Sequence, residues 1–342
     1  MAKLKGLIVD DSKLVQDVLG MILSFNDEIE IIGVADNGQE AIEKTNELKP
    51  DFITMDVNMP VMDGITAIGH IMESNPTPII VVSDASDAET AFNAVSKGAV
   101  EVFSKSALQP ENSEQLVRTV TLLARVNVMR AMKEKETEAE PKKPQKQEQG
   151  KQEGGKAISL ASATGGLRAL SLILAKLPSD FAIPVLIAHH IADGFVSGLV
   201  EWLSRVSPLK IKEGKEGEKV APGTAYVAPA NRHMEIDGNE KIAFVESKIT
   251  EPYCPSSDRL FSSVASVFGM NSIGVILTGM GNDGTMGIQK IKEKNGVTIA
   301  QDQESSYVFD MPKSAIESGC VDEILPLEDI GQRLNQLAVS GN

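Results

Sequence analysis

From Lys133 to Lys156 the chain carries one apolar side chain, Ala139, once proline and glycine are set aside. The remainder is Lys, Glu, Gln and Thr, which cannot bury enough surface to offset the entropy of ordering the backbone. This stretch reads as a flexible linker and prevents one core from running the length of the chain. At 342 residues two domains of ordinary size are expected in any case. The divisions follow: a first domain over residues 1–125, a helix extension and polar linker over 126–156, and a second domain over 157–342.

On both sides of the linker, short apolar runs alternate with helical spacing. In the first half the runs are Leu7–Val9, Ile29–Val34, Asp51–Met55, Ile79–Ser83 and Val100–Phe103. Helical patterns cover 12–25, 38–48 and 113–132. In the second half Ala157–Ala161, Pro184–Ala188, Ile273–Leu277 and Val297–Ala300 read as strands. Shorter strands fall in 220–229 and 235–245, and helices follow Thr164-Gly165-Gly166 and Thr285. Strict alternation of strand and helix predicts α/β architecture: two doubly wound domains with mainly parallel sheets. Ligands in such sheets sit at the C-terminal strand ends. Trp202 and Phe195 read as core residues.

The formal net charge is −15, which repels phosphate backbones, and no basic run with interleaved aromatics is present; nucleic acid is not an expected partner. Two cysteines, Cys254 and Cys320, make neither a disulfide framework nor a zinc site. Residues 1–6 run into a strand pattern without the apolar region of a signal peptide. No apolar stretch approaches the roughly 18 residues that span a bilayer. A soluble, cytoplasmic protein without membrane insertion is expected.

Asp10, Asp11, Asp56, Ser83 and Lys105 all fall at strand ends of the first half. Three clustered carboxylates repel one another unless a divalent cation joins them, and their hard oxygens suit Mg²⁺. A carboxylate so shielded can attack a phosphoryl group. The stretches Ile8-Val9-Asp10-Asp11-Ser12, Met55 to Gly64, Val82-Ser83 and Gly98-Ala99 through Lys105 make this half resemble the response-regulator receiver family. The resemblance implies Asp56 as phosphoacceptor, Asp11 and Asp56 with the Asn58 carbonyl as Mg²⁺ ligands, and Ser83 and Lys105 as the switch pair; the carboxylate cluster itself adds Asp10 to the metal site. Two positions depart from the family pattern. Val102 stands at the aromatic switch position, with Phe103 beside it, and Ser106 follows the lysine where proline is usual.

The second half holds three histidines, His189, His190 and His233. Adjacent residues on an extended segment point to opposite faces, so His189-His190 is a poor metal pair; no cofactor is expected there. The alternative is nucleophilic catalysis, with a serine at a strand-to-helix turn, a histidine base and an orienting carboxylate. Candidate strand ends are Ala161 to Gly166, His189-His190 and Gly281 to Gly284. These segments, with Pro222 to Pro229, Ser257 to Ala265, Leu277 to Gly284 and Met311-Pro312, make this half resemble the CheB family of chemotaxis protein-glutamate methylesterases. The resemblance implies His190 as general base, Asp283 as orienting acid, and Met280 and Gly281 in the loop that shapes the oxyanion site. His189 takes the family's glutamine position.

The nucleophile is out of register. The family pattern is Gly-Ala-Ser-Thr-Gly-Gly, and its serine falls on Ala163 in ungapped register. Ser162 serves only if the loop bulges at Ala163; if the turn keeps its geometry, Ser162 faces away. Thr164 is a further candidate. The implied function is phosphorylation-regulated hydrolysis of glutamate γ-methyl esters on chemoreceptors, with glutamine deamidation beside it. A chemotaxis histidine kinase would be the phosphodonor and chemoreceptor cytoplasmic helices the substrate. The alternative is a catalytically inactive adaptor that binds receptors under phosphorylation control.

Overall fold

The computed structural model describes residues 3–109, 113–124, 155–248 and 250–339. The linker and most of the expected helix extension lie outside the described residues.

The first unit runs β1 (Leu4–Val9), α1 (Lys13–Ser24), β2 (Ile29–Ala35), α2 (Gly38–Leu48), β3 (Phe52–Met55), α3 (Gly64–Ser74), β4 (Ile79–Ser83), α4 (Ala88–Ser96), β5 (Glu101–Ser104) and α5 (Ser113–Leu123). Its five strands are parallel in the order β2-β1-β3-β4-β5. β3 and β4 are buried at every position, as strands covered by helices on both faces must be. α2 and α3 start where Asn37 and Asp63 accept the N–H groups of Glu40 and Thr66, which satisfies donors the helix cannot. The strand order reverses direction beside β1, so the ends of β1 and β3 open the crevice in which Asp10 and Asp56 stand.

The second unit runs β6 (Ala157–Ser162), α6 (Gly166–Ala175), β7 (Val185–His189), α7 (Val196–Val206), β8 (Lys210–Glu213), β9 (Thr224–Val227), β10 (Arg232–Ile236), β11 (Ile242–Glu246), α8 (Ser257–Phe268), β12 (Ser272–Ile276), α9 (Thr285–Glu293), β13 (Val297–Gln301), α10 (Asp310–Glu317), β14 (Glu323–Leu325) and α11 (Leu327–Val339). Its seven-stranded sheet has the order β14-β13-β12-β6-β7-β9-β8, with every pair parallel. β10 and β11 form a separate antiparallel hairpin. The ends of β6, β7 and β12 are neighbours, which gathers Ser162-Ala163, His189-His190 and the loop after Leu277 on one rim.

The two units share a hydrophobic core. Phe92 of α4 stacks on Trp202 of α7, with centroids 6.0 Å apart, and meets Phe195 edge-on at 6.1 Å. Trp202 donates its indole N–H to Ser96 Oγ at 3.3 Å, and Arg205 pairs with Glu89. Phe195 and Trp202 are therefore core residues, as their sequence context suggests, but of a core built from both halves. Among the described residues no helix is long and apolar enough to cross a membrane.

Candidate active site and acidic cluster

In the first unit, carboxylate oxygens of Asp10, Asp11 and Asp56 lie within 4.8 Å of one another. Lys105 bridges two of them, its Nζ 2.9 Å from Asp10 Oδ2 and 2.8 Å from Asp56 Oδ2. Burial raises the pKa of Asp56; the Lys105 contact opposes this and the Asp10 charge adds to it. Burial alone would lower the pKa of Lys105, but its contacts with Asp56 and Asp10 outweigh that and hold it charged. Negative charge in excess on hard oxygens fits a divalent cation. Ser83 ends β4 fully buried, and its hydroxyl has no hydrogen-bond partner. Asn58 is exposed two residues past Asp56.

In the second unit, His190 Nε2 lies 2.9 Å from Asp283 Oδ2. The loop that carries Asp283 turns through Gly281 and Gly284, both at positive φ (94° and 96°), where a side chain would be strained. Asp283 is buried and faces the start of α8. It accepts the N–H of Ser257 at 2.6 Å, that of Asp258 at 3.1 Å and the hydroxyl of Ser256 at 3.1 Å. A helix N-terminus is a fitting seat for an anion. Burial raises the Asp283 pKa, yet the His190 contact and these backbone donors outweigh it and hold the carboxyl below its ordinary range. Tyr253 stacks on the His190 ring, centroids 5.3 Å apart and 10° from parallel. With Nε2 committed to Asp283, Nδ1 is the nitrogen left to take a proton.

Ser162 does not join this pair. It is fully buried, and its Oγ lies 2.9 Å from His189 Nδ1, which is also 3.2 Å from the Ser162 carbonyl. A ring nitrogen that faces a carbonyl carries its proton, so it cannot also take the serine's. Burial, aided by the neighbouring His190, pushes the His189 pKa down to about 3 and keeps the ring neutral. The start of α6 closes over the pair: a Cβ on Gly166 would stand 2.6 Å from Ser162 Cβ. The bulge that would bring Ser162 to His190 is absent, because Ser162 keeps its place opposite His189 in the β6–β7 register. Ala163, 5% exposed, lines the cleft with Thr164, His190 and Met280. At this position of the lining the side chain is a methyl group and carries no hydroxyl.

The cleft, of about 540 Å³, is walled on its other side by Glu101, Val102, Phe103 and Arg118 of the first unit. Glu101 was not singled out in the sequence, nor was Tyr253; Ser257 and Asp258 stood out only within the block that carries the resemblance, and not as donors to Asp283. Glu101 is a polar residue opening an apolar strand, and that is the one signal it gives. The Ser256–Asp258 segment carries the hydroxyls and acid typical of a helix start.

A receiver-like sheet set over an α/β domain with a histidine–carboxylate pair defines a response regulator with a hydrolase-type effector. The CheB methylesterase profile matches residues 158–334 and the response regulator receiver profile residues 7–120. The chain is 38% identical to a protein-glutamate methylesterase/protein-glutamine glutaminase of Syntrophus aciditrophicus, over 98% of this chain and 99% of that protein. A Methanococcoides burtonii protein of the same description is also 38% identical, over 99% of this chain and all of the other. The solved catalytic domain of Thermotoga maritima CheB methylesterase superimposes with a TM-score of 0.52 at 38% identity, covering 54% of this chain and 99% of that domain. The chain belongs to the CheB methylesterase family, with a receiver domain ahead of the methylesterase domain. Membership places it in an enzyme class, the protein-glutamate methylesterases.

Proposed function

We propose that this chain hydrolyses glutamate γ-methyl esters on the cytoplasmic helices of chemoreceptors, and deamidates glutamine side chains there, under control of its receiver. The observation that carries this reading is the His190–Asp283 pair, 2.9 Å apart at the mouth of the interdomain cleft. His190 Nδ1 is the base, and Asp283 fixes its tautomer. Ala163 offers no hydroxyl and Ser162 is turned onto His189; in this reading the attacking group is water, rather than the Thr164 hydroxyl that also borders the cleft at the start of α6. The water oxygen bonds to the ester carbonyl carbon, Cδ of the glutamyl side chain, as His190 takes one proton. The bond from that carbon to the methoxy oxygen then breaks, His190 passes its proton to the departing methoxide to give methanol, and the carboxylic acid left behind releases the second proton to water and remains as carboxylate. The loop at Met280 and Gly281 borders the side where the oxyanion develops.

In this reading Asp56 accepts the phosphoryl group from a chemotaxis histidine kinase, and Ser83 and Lys105 meet its oxygens. Mg²⁺ held by Asp10, Asp11, Asp56 and the Asn58 carbonyl would offset the charge of the incoming phosphoryl group. Phosphorylation favours a form with the cleft open. The protein works in the cytoplasm, as a receiver over 1–125 and a methylesterase domain over 157–342 joined by the intervening linker.

One observation favours a second reading. A methyl group at the nucleophile position is also what a receptor-binding adaptor without turnover would carry. Methanol release from methylated receptor fragments separates the two. The enzyme releases methanol, and acetyl phosphate raises its rate. Asp56→Ala removes that stimulation and keeps the basal rate, and His190→Ala removes the basal rate while the receiver still takes phosphate. No release from the unaltered chain, together with receptor binding that responds to phosphorylation, establishes the adaptor.

A further inference from the structure

Helix α6 opens without a side-chain cap: its N-cap is Gly165, at φ 77°, and no acid stands in its first turn. The N–H of Gly165 is nevertheless served. Glu101, the first residue of β5 in the receiver, accepts it through Oε2 at 3.0 Å, while its Oε1 accepts the N–H of Val102 at 3.0 Å. The carboxylate reaches this donor from across the domain boundary, and it lies in the cleft that Ala163, Thr164 and His190 line. A glutamyl side chain of the receiver thus enters the site of a domain that, on the reading above, acts on glutamyl side chains. A γ-carboxylate is also what ester hydrolysis leaves behind.

We propose that the Gly165 N–H is the carboxyl-binding donor of the cleft, and that Glu101 occupies it as an internal stand-in for the glutamyl product. The closed chain is then held in a product-like complex with itself, and substrate must displace Glu101 to bind. This rests on the proposed substrate class. It differs from simple covering of the cleft in naming one side chain, one donor and a ligand chemistry that competes for it.

Burial decides in which form the carboxyl occupies this donor, and it favours the neutral acid. Burial pushes the Glu101 pKa up from 4.5 to about 7, against the pull of the Val102 and Gly165 N–H groups. The other ionisable groups lining the cleft are Glu114 and Arg118 of α5, and His190, Tyr253 and Cys254 of the second domain. If opening returns Glu101 to water and its ordinary value, closure takes up a proton between those two values. The closed form is then favoured at low pH and weakened as pH rises from about 4.5 to about 7, by up to about tenfold per unit, with no further change above that.

The test is nuclear magnetic resonance of the full chain, read at the Gly165 amide, with N-acetyl-glutamate N-methylamide as the free carboxylate. In Glu101→Ala, exchange at Gly165 speeds at least tenfold, and the probe shifts the Gly165 resonance at concentrations at least tenfold lower than in the unaltered chain. Glu101→Gln keeps an acceptor of the same shape: it retains Gly165 protection but loses the pH dependence between about 5 and 7. Acetyl phosphate acting on the unaltered chain exposes Gly165 as Glu101→Ala does, which supplies the measurement if that variant fails to fold. A probe that leaves the Gly165 resonance unmoved in the opened chain overturns the proposal, as does unaltered exchange in Glu101→Ala. None of these readouts needs turnover, so a chain that releases no methanol defeats the proposed reaction separately.

Discussion

Ala163→Ser raises the rate of methyl ester hydrolysis by on the order of 100-fold or more. The substitution places a hydroxyl on the side chain that lines the cleft beside His190, while the backbone there stays fixed by the Ala163 N–H bond to the Thr278 carbonyl at 3.1 Å. A held alcohol replaces a free water, so the entropy of bringing nucleophile to ester is met in advance, and the reaction divides into acylation and deacylation. A fluorophosphonate reagent should label the variant and leave the unaltered chain unlabelled. Ser162→Ala, made alone, should leave the rate where it was, because that hydroxyl serves His189. A chain that Ala163→Ser does not accelerate, or one that Ser162→Ala silences, would return the chemistry to Ser162 and refute the water mechanism.

Asp283→Asn lowers turnover by on the order of 10⁴-fold, the loss that follows when the orienting acid of a serine triad is made neutral. The carboxylate accepts from His190, Ser256, Ser257 and Asp258. An amide can accept through one atom only, so it either leaves backbone N–H groups of α8 facing its own N–H₂ or turns His190 to the wrong tautomer. A buried donor left unmatched costs about 1–3 kcal/mol, which a urea midpoint would register. The pH dependence has a definite sign. The folded pKa of Asp283 lies below its ordinary 3.8, so its contribution is intact above that value and is lost as pH falls through the lower, folded one. The variant should therefore lose less stability on acidification below pH 4 than the unaltered chain does. Labelling of Asp56 by acetyl phosphate should be unchanged. Full methanol release by the variant would remove Asp283 from the reaction.

The rim of each sheet was legible because parallel strands buried on both faces are continuous apolar runs, and the polar residues that end them stand out. Asp10, Asp56, Ser83 and Lys105 declare themselves this way, as do His190 and the glycine-flanked Asp283. The facing of Ser162 was not legible. β6 is buried at every position, so no alternation of polar and apolar residues reveals which side chains point up, and a shift of one residue reverses them all. Only the pairing of Ser162 with His189, and the closeness of Gly166 above them, decides the matter. β8 was passed over for a related reason: Lys210–Glu213 is a short edge strand with one buried side chain, Ile211, and its composition is that of a loop. Glu101 acquires its role only when a second domain arrives. In the receiver alone it is an acid opening an edge strand, and nothing within its own domain calls for Gly165.

The aromatic clasp of Phe92 with Phe195 and Trp202 constrains how this protein can be taken apart. A chimera that grafts a foreign receiver onto the methylesterase half would strand the indole of Trp202 in water unless the graft supplies both a ring at position 92 and a hydroxyl at position 96. Each half has shaped its face to the other, so a working exchange of receivers has to carry over the residues of α4 that meet Phe195 and Trp202 as well as the phosphoacceptor sheet.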